Sequence, residues 1–166
     1  MGKLIVVEND TVEGTDKHNV SGNATNTAPP PAPPTIAYSG FGDFDYVGQM
    51  TGELSDFVSI GGKPVALKTS TSSLNIGEDV APVGKHSGPA GKNFVLPSPA
   101  PITPSLSISD PIGEGNPNVI SGSSFVKVDG VEVLLDGDKI DTCDGMSVPM
   151  NSTVTAENQD FVSCSA

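Results

Sequence analysis

The feature that most constrains this chain is a complete β-hairpin sentence at residues 121–143, SGSSFVKVDGVEVLLDGDKIDTC, and its reuse elsewhere. Phe125 to Val128 leads into Asp129-Gly130, and Val131 to Leu135 runs back. Asp-Gly between two β-branched runs specifies a two-residue type I′ turn, because both central positions need φ > 0. Residues 56–68, DFVSIGGKPVALK, align on residues 124–136 without a gap, with Phe57 on Phe125 and Gly61-Gly62 on Asp129-Gly130. A weaker copy is STVTAENQDFVSC at 152–164, with Glu157-Asn158 expected in the turn, and LIVVENDTVEG at 4–14 has the same outline around Asn9-Asp10. A unit repeated at irregular spacing predicts one small hairpin used several times, with loops of different length between copies.

Composition narrows the fold class to all-β. The chain has 166 residues, suited to one domain over 1–166, with 36% hydrophobic residues, 19 Gly, 15 Pro and no Trp. Long helices are hard to place in such a chain, and the expected core is thin enough to need help from a metal, a partner subunit or a disulfide. A net charge of −12 with only 8 Lys and Arg argues against nucleic acid and against anionic membranes. The opening MGKLIVVEND turns acidic too early for a secretion leader, so synthesis is expected in the cytoplasm.

Two Pro-rich inserts, at about 23–48 and 88–118, interrupt the hairpins. The first holds the tract NATNTAPPPAPPT, which reads as a surface excursion, followed by Tyr38, Phe41, Phe44 and Tyr46 among glycines, which read as a lid over a hydrophobic edge or a partner-binding patch. The second alternates prolines with Val95, Leu96, Ile102, Leu106 and Ile108 and reads as an extended strap across the body.

Signatures of enzymes are missing: no His-Glu-x-x-His pair, no Gly-x-Ser-x-Gly elbow, no phosphate-cradling loop and no dinucleotide fingerprint occurs. Asp136-Gly137-Asp138 with Asp141 resembles part of a calcium loop but lacks the terminal bidentate Glu. The soft-metal ligands are His18, His86, Cys143 and Cys164, which are all the histidines and cysteines of the chain. Their spacing fits no zinc finger or ribbon, although several follow hairpin units whose ends could converge. Two loop histidines with two buried thiols, or a Cys143–Cys164 disulfide in an oxidising compartment, are the alternatives.

The stretches VISGSSFVKVDG (119–130) with Asp136-Gly137-Asp138, GTDKHNVSG (14–22) and SDFVSIGGKPVAL (55–67) resemble the PAAR-repeat proteins that tip contractile injection machines. The name-giving Pro-Ala-Ala-Arg tetrad appears as Pro64-Val65-Ala66-Leu67 and Glu132-Val133-Leu134-Leu135, without its arginine. The resemblance implies a small cone of short antiparallel β-hairpins with pseudo-threefold arrangement and long Pro/Gly-rich loops. It implies a non-enzymatic role, in which one copy caps a trimeric β-helical spike and contacts a target membrane transiently, with effector cargo as an optional passenger. It also implies a zinc ion, or iron in its place, near the point, held by His18 and Cys143 with His86 and Cys164. The protein would be made in a bacterial cytoplasm, assembled at the tip of a particle and delivered outside the cell or into the target. An apolar base is expected from Ile60, Val65, Val128 and Val133. A disulfide-bridged surface β-module and a small zinc hydrolase are the competing classes.

Overall fold

The computed structural model describes residues 2–25, 31, 35–74, 92–95, 105–110, 113–142 and 145–165. Among these no helix occurs, and the strands are β1 (Lys3–Leu4), β2 (Thr11–Thr25), β3 (Thr35–Gly52), β4 (Ser59–Ile60), β5 (Lys63–Pro64), β6 (Thr71–Leu74), β7 (Lys92–Val95), β8 (Ser105–Ile108), β9 (Asn116–Pro117), β10 (Lys127–Val128), β11 (Val131–Glu132), β12 (Lys139–Asp141), β13 (Ser152–Thr155) and β14 (Ser163–Cys164). All named pairings are antiparallel.

Three short hairpins form one layer. β4 pairs β5 across Gly61-Gly62, and β10 pairs β11 across Asp129-Gly130. The φ values of these four residues are 60°, 85°, 49° and 82°, the left-handed pair that a type I′ turn requires. The third hairpin differs from the sequence expectation. β14 does not pair with the segment before it; Ser163 and Cys164 pair with Leu4 and Lys3 of β1 instead. Asp160-Phe161-Val162 therefore stands where Asp56-Phe57-Val58 stands in the first hairpin, and Ile5 stands where Val65 and Val133 do. Asn9-Asp10 is likewise a corner rather than a hairpin turn, since β1 and β2 go to different partners.

Past each hairpin the chain enters a ring. Val6 N–H donates to Leu134 O, Leu134 N–H to Ala66 O and Ala66 N–H to Val6 O, each at 3.0 Å. A second cycle links Glu8 N–H to Pro64 O at 2.9 Å, Lys68 N–H to Glu132 O at 2.8 Å and Asp136 N–H to Leu4 O at 2.9 Å. Single bridges join Ile5 to Leu135, Val7 to Val65 and Leu67 to Val133. Within each cycle every unit donates to one neighbour and accepts from the other, the two cycles running in opposite senses, which is what a threefold axis demands. The corners after the ring are capped alike: Asp10 Oδ2 accepts from Val7 N–H at 2.7 Å, Ser70 Oγ from Leu67 N–H at 2.8 Å and Asp138 Oδ2 from Leu135 N–H at 2.9 Å.

The ring divides two cores because alternate residues of an extended strand face opposite ways. Ile5, Val7, Val65, Leu67, Val133 and Leu135 pack with Ile60 and Val128 on the hairpin side. Val6, Ala66 and Leu134, all fully buried, face the other way with Val12, Tyr46, Met50, Ile140 and Val154. This second core fills a sheet ordered β6-β3-β2-β13-β12-β9, and a bridge from Ser72 to Gly115 nearly closes it into a barrel. Gly14 lets β13 come close: a Cβ there would stand 2.6 Å from Ser152 Cα. Pro117 sits in the two-residue strand β9, where it pairs with Ile140.

β2 and β3 run on past the barrel in continuous register from Thr11–Gln49 to Thr25–Thr35. There they gain β8 beside β2 and β7 beside β3. The expected lid at 36–48 is therefore part of a strand, and its Phe44 and Tyr46 are buried. Of the expected strap, 92–95 and 105–108 are strands, while 96–104 lies outside the described residues.

Candidate functional site

The barrel interior turns polar beyond the second core, along the inward face of β2. Val12, Asp16, His18 and Val20 of that face are buried, while Glu13, Thr15 and Asn19 between them are exposed. Asp16 Oδ1 accepts from Thr142 Oγ1 and from Asn151 Nδ2, and Asn151 Nδ2 also reaches Thr142 Oγ1 at 2.7 Å. Thr142 N–H donates to Asn151 Oδ1 at 3.0 Å, and Ser152 Oγ lies 3.0 Å from Thr142 Oγ1. Tyr46 Oη meets Ser72 Oγ at 2.8 Å. The bonds of Thr142 and Asn151 tie the β12–β13 loop to the middle of β2, and that of Tyr46 ties β3 to β6.

His18 lies one inward step beyond Asp16 and is fully buried. Its ring packs against Phe44 with centroids 5.8 Å apart, and its Nδ1 is 3.8 Å from Asp110 Oδ2. Asp110 is fixed in turn by Asn19, whose N–H donates to Oδ2 and whose Nδ2 donates to Oδ1 at 3.1 Å. Ser109 N–H donates to Asn19 O at 2.9 Å, so the end of β8 carries Asp110 to the histidine. A carboxylate beside a buried imidazole can orient its ring as a ligand.

Of the four predicted ligands, His18 and Cys164 fall among the described residues and His86 and Cys143 do not. The fold does not bring His18 and Cys164 together. Cys164 is a free thiol in β14, packed against the hairpin-side core, with its Sγ 3.6 Å from Ser123 Oγ. It takes the place that Ile60 and Val128 hold in the other hairpins, so it is a small apolar residue of that core. His18 lies across the ring layer, about 20 Å along β2 from Val12, a residue of the second core. Zinc ligands reach only about 2.0–2.3 Å from the metal. Cys143, by contrast, directly follows Thr142, whose hydroxyl is bonded to Asp16 two residues from His18. Among the described residues no group of three His, Cys, Asp or Glu side chains converges as a metal site.

The calcium-like acids have structural work. Asp138 Oδ2 accepts from Gly122 N–H as well as Leu135 N–H, Asp136 Oδ1 from Ala156 N–H at 3.0 Å, and Asp141 from Asn118 Nδ2 at 2.9 and 3.0 Å. Each caps backbone or amide donors at a corner.

The expected apolar base also differs. Ile60, Val65, Val128 and Val133 are all buried in the hairpin-side core. The large apolar residues of the hairpins that face solvent are Phe57, Phe125 and Phe161, at 71%, 73% and 65% exposure. The equivalence of Phe57 and Phe125 is readable from the repeat; that of Phe161 depends on a pairing between distant segments. No family model, no curated protein and no solved structure matches the chain.

Proposed function

We propose that this protein is the tip of a contractile, phage-tail-like injection machine, a divergent PAAR-like cap seated as one copy on a trimeric β-helical spike. The observation that supports it most is the cyclic backbone ring of Val6, Leu134 and Ala66. A single chain that repeats one unit around an axis offers three similar faces to a true threefold partner, which three separate copies would otherwise be needed to match. The tetrad positions 64–67 and 132–135 lie in that ring, with Leu4-Ile5-Val6-Val7 as the third member. The proposed role is mechanical and non-enzymatic: the cap closes the spike, contacts the target membrane briefly as the sheath contracts, and leaves cargo as an option. Strands that close on themselves leave few open edges at such a point.

Among the described residues the polar end offers His18 beside Asp110, and the reading takes Cys143 and His86 as the further ligands. Buried His18, oriented beside Asp110, together with Cys143 and His86 would hold zinc there, and Cys164 stays in the core of the hairpins. A zinc ion so bound would pin loops that lie far apart in sequence, adding stability that a lean core lacks. His18 supplies a ring nitrogen held by its packing on Phe44, and Asp16 holds the segment leading to Cys143 through Thr142. Synthesis in a bacterial cytoplasm followed by assembly into the particle completes the reading.

The test is capture of the trimeric spike subunit of the same machine by tagged protein, with metal analysis of the captured chain. The reading expects spike and one zinc or iron per chain, with the metal lost in His18→Ala and Cys143→Ser. Protein that captures no spike contradicts it.

A further inference from the structure

Three phenylalanines repeat around the ring axis, and among the described residues none of them is buried by the fold. Phe57, Phe125 and Phe161 each precede a valine that turns inward, Val58, Val126 and Val162, which packs on the hairpin-side core. Across the three units, Phe and Val are the pair kept identical from 57–58 to 125–126 to 161–162, while the next residues vary as Ser59, Lys127 and Ser163. Burial accounts for the valines. It does not account for phenylalanines that are 65–73% exposed.

The same local bonds set the three side chains alike. Val58 N–H donates to Ser55 Oγ at 3.0 Å, Val126 N–H to Ser123 Oγ at 3.1 Å and Val162 N–H to Gln159 Oε1 at 2.8 Å. The turn ahead of each phenylalanine is thereby fixed, and with it the direction in which the ring leaves the backbone. Phe161 leans toward the first hairpin, where a Cβ on Gly61 would stand 3.8 Å from its Cζ.

We infer that Phe57, Phe125 and Phe161 are three equivalent anchors for a homotrimeric protein, each entering the same apolar socket on a different subunit; this rests on the spike-tip reading and names its contact residues. A phenylalanine buries roughly 150–250 Å², and with 65–73% of each still exposed here the three would cover about half of the ~800 Å² per partner of a stable interface. Symmetry selects the partner: three anchors at equivalent places around one axis meet three identical sockets only on a protein with a true threefold axis. The hairpins carry both signs around the rings, Asp56, Asp129 and Asp160 with Lys3, Lys63 and Lys127, so the socket rims are expected to be mixed in charge.

The experiment measures binding of the full chain, and of Phe57→Ala, Phe125→Ala, Phe161→Ala and the triple variant, to the purified trimeric spike subunit by calorimetry. Melting curves of each variant check that the fold stands. Each single substitution should weaken binding about tenfold or more, by similar factors at the three positions, and the triple should abolish it with an unchanged melting temperature. Phe→Leu at the same positions should retain most of the affinity. A triple variant that binds like the wild type, or one phenylalanine carrying the whole effect, overturns the anchor assignment and leaves the spike-tip reading standing. Wild-type protein that fails to bind defeats both.

Discussion

Lys3 stands directly across from Cys164 in an antiparallel pair, the relation that Lys63 bears to Ile60 and Val131 to Val128. Two segments from opposite ends of the sequence therefore build the third hairpin. The bond from Ile5 N–H to Val162 O at 3.1 Å repeats that from Val65 to Val58 at 3.0 Å and from Val133 to Val126 at 3.2 Å. Cys164 inherits an apolar position from this equivalence.

Cys164→Val should accordingly leave the melting temperature unchanged or raise it, because valine already fills the matching site at Val128 and the swap is close in volume. Metal content should not change. Loss of metal in this variant, measured by elemental analysis, would make Cys164 a ligand after all.

The central ring predicts a costly cavity. Leu134 is fully buried where the three units meet, and Leu134→Ala should destabilise the protein by about 2–5 kcal/mol in denaturant titration. A change of a few tenths would mean that the three units do not pack on one another there.

Lys68 and Glu132 join two of the three units. Lys68 Nζ donates to Glu132 Oε2 at 2.9 Å, and Lys127 Nζ lies 3.5 Å from Oε1. The hydrogen bond from Lys68 and then its charge, aided by Lys127, hold the Glu132 carboxyl below its ordinary 4.5. A lowered carboxylate stabilises the fold above its unfolded value and stops doing so as pH falls through the folded one. Glu132→Gln should thus melt slightly below wild type at pH 7, and the two melting curves should converge as the pH drops below the usual carboxylate range. A gap that widens in acid contradicts the pairing.

The β2–β3 register ends at Thr25–Thr35, so residues 26–34 bridge two paired strands. Replacing them with a short Gly-rich turn should alter stability by only about a kcal/mol, since loop closure depends weakly on length. Thermal melting of the shortened protein checks this, and unfolding would assign the Pro-rich tract a structural role.

Local chemistry made part of this fold legible. Gly61-Gly62 and Asp129-Gly130 announce their own turns, and the Phe57–Phe125 alignment exposes the repeat. The third unit was hidden because turn logic reads sequence neighbours, while β1 and β14 pair from opposite ends of the sequence. The long β2 was hidden as well: its inward face carries Asp16 and His18 where an alternating pattern would have apolar residues, and their partners come from Thr142, Asn151 and Asp110. His18 was legible as a chemically distinct residue, but the separation of Cys164 from it follows from the strand pairing alone.

The most direct test of the proposed spike-tip role is the stoichiometry in which the chain binds a trimeric spike, read by native mass spectrometry. A chain that carries its own pseudo-threefold axis predicts one copy on three spike subunits. Three copies per trimer, or a homotrimer of this chain alone, would contradict the account.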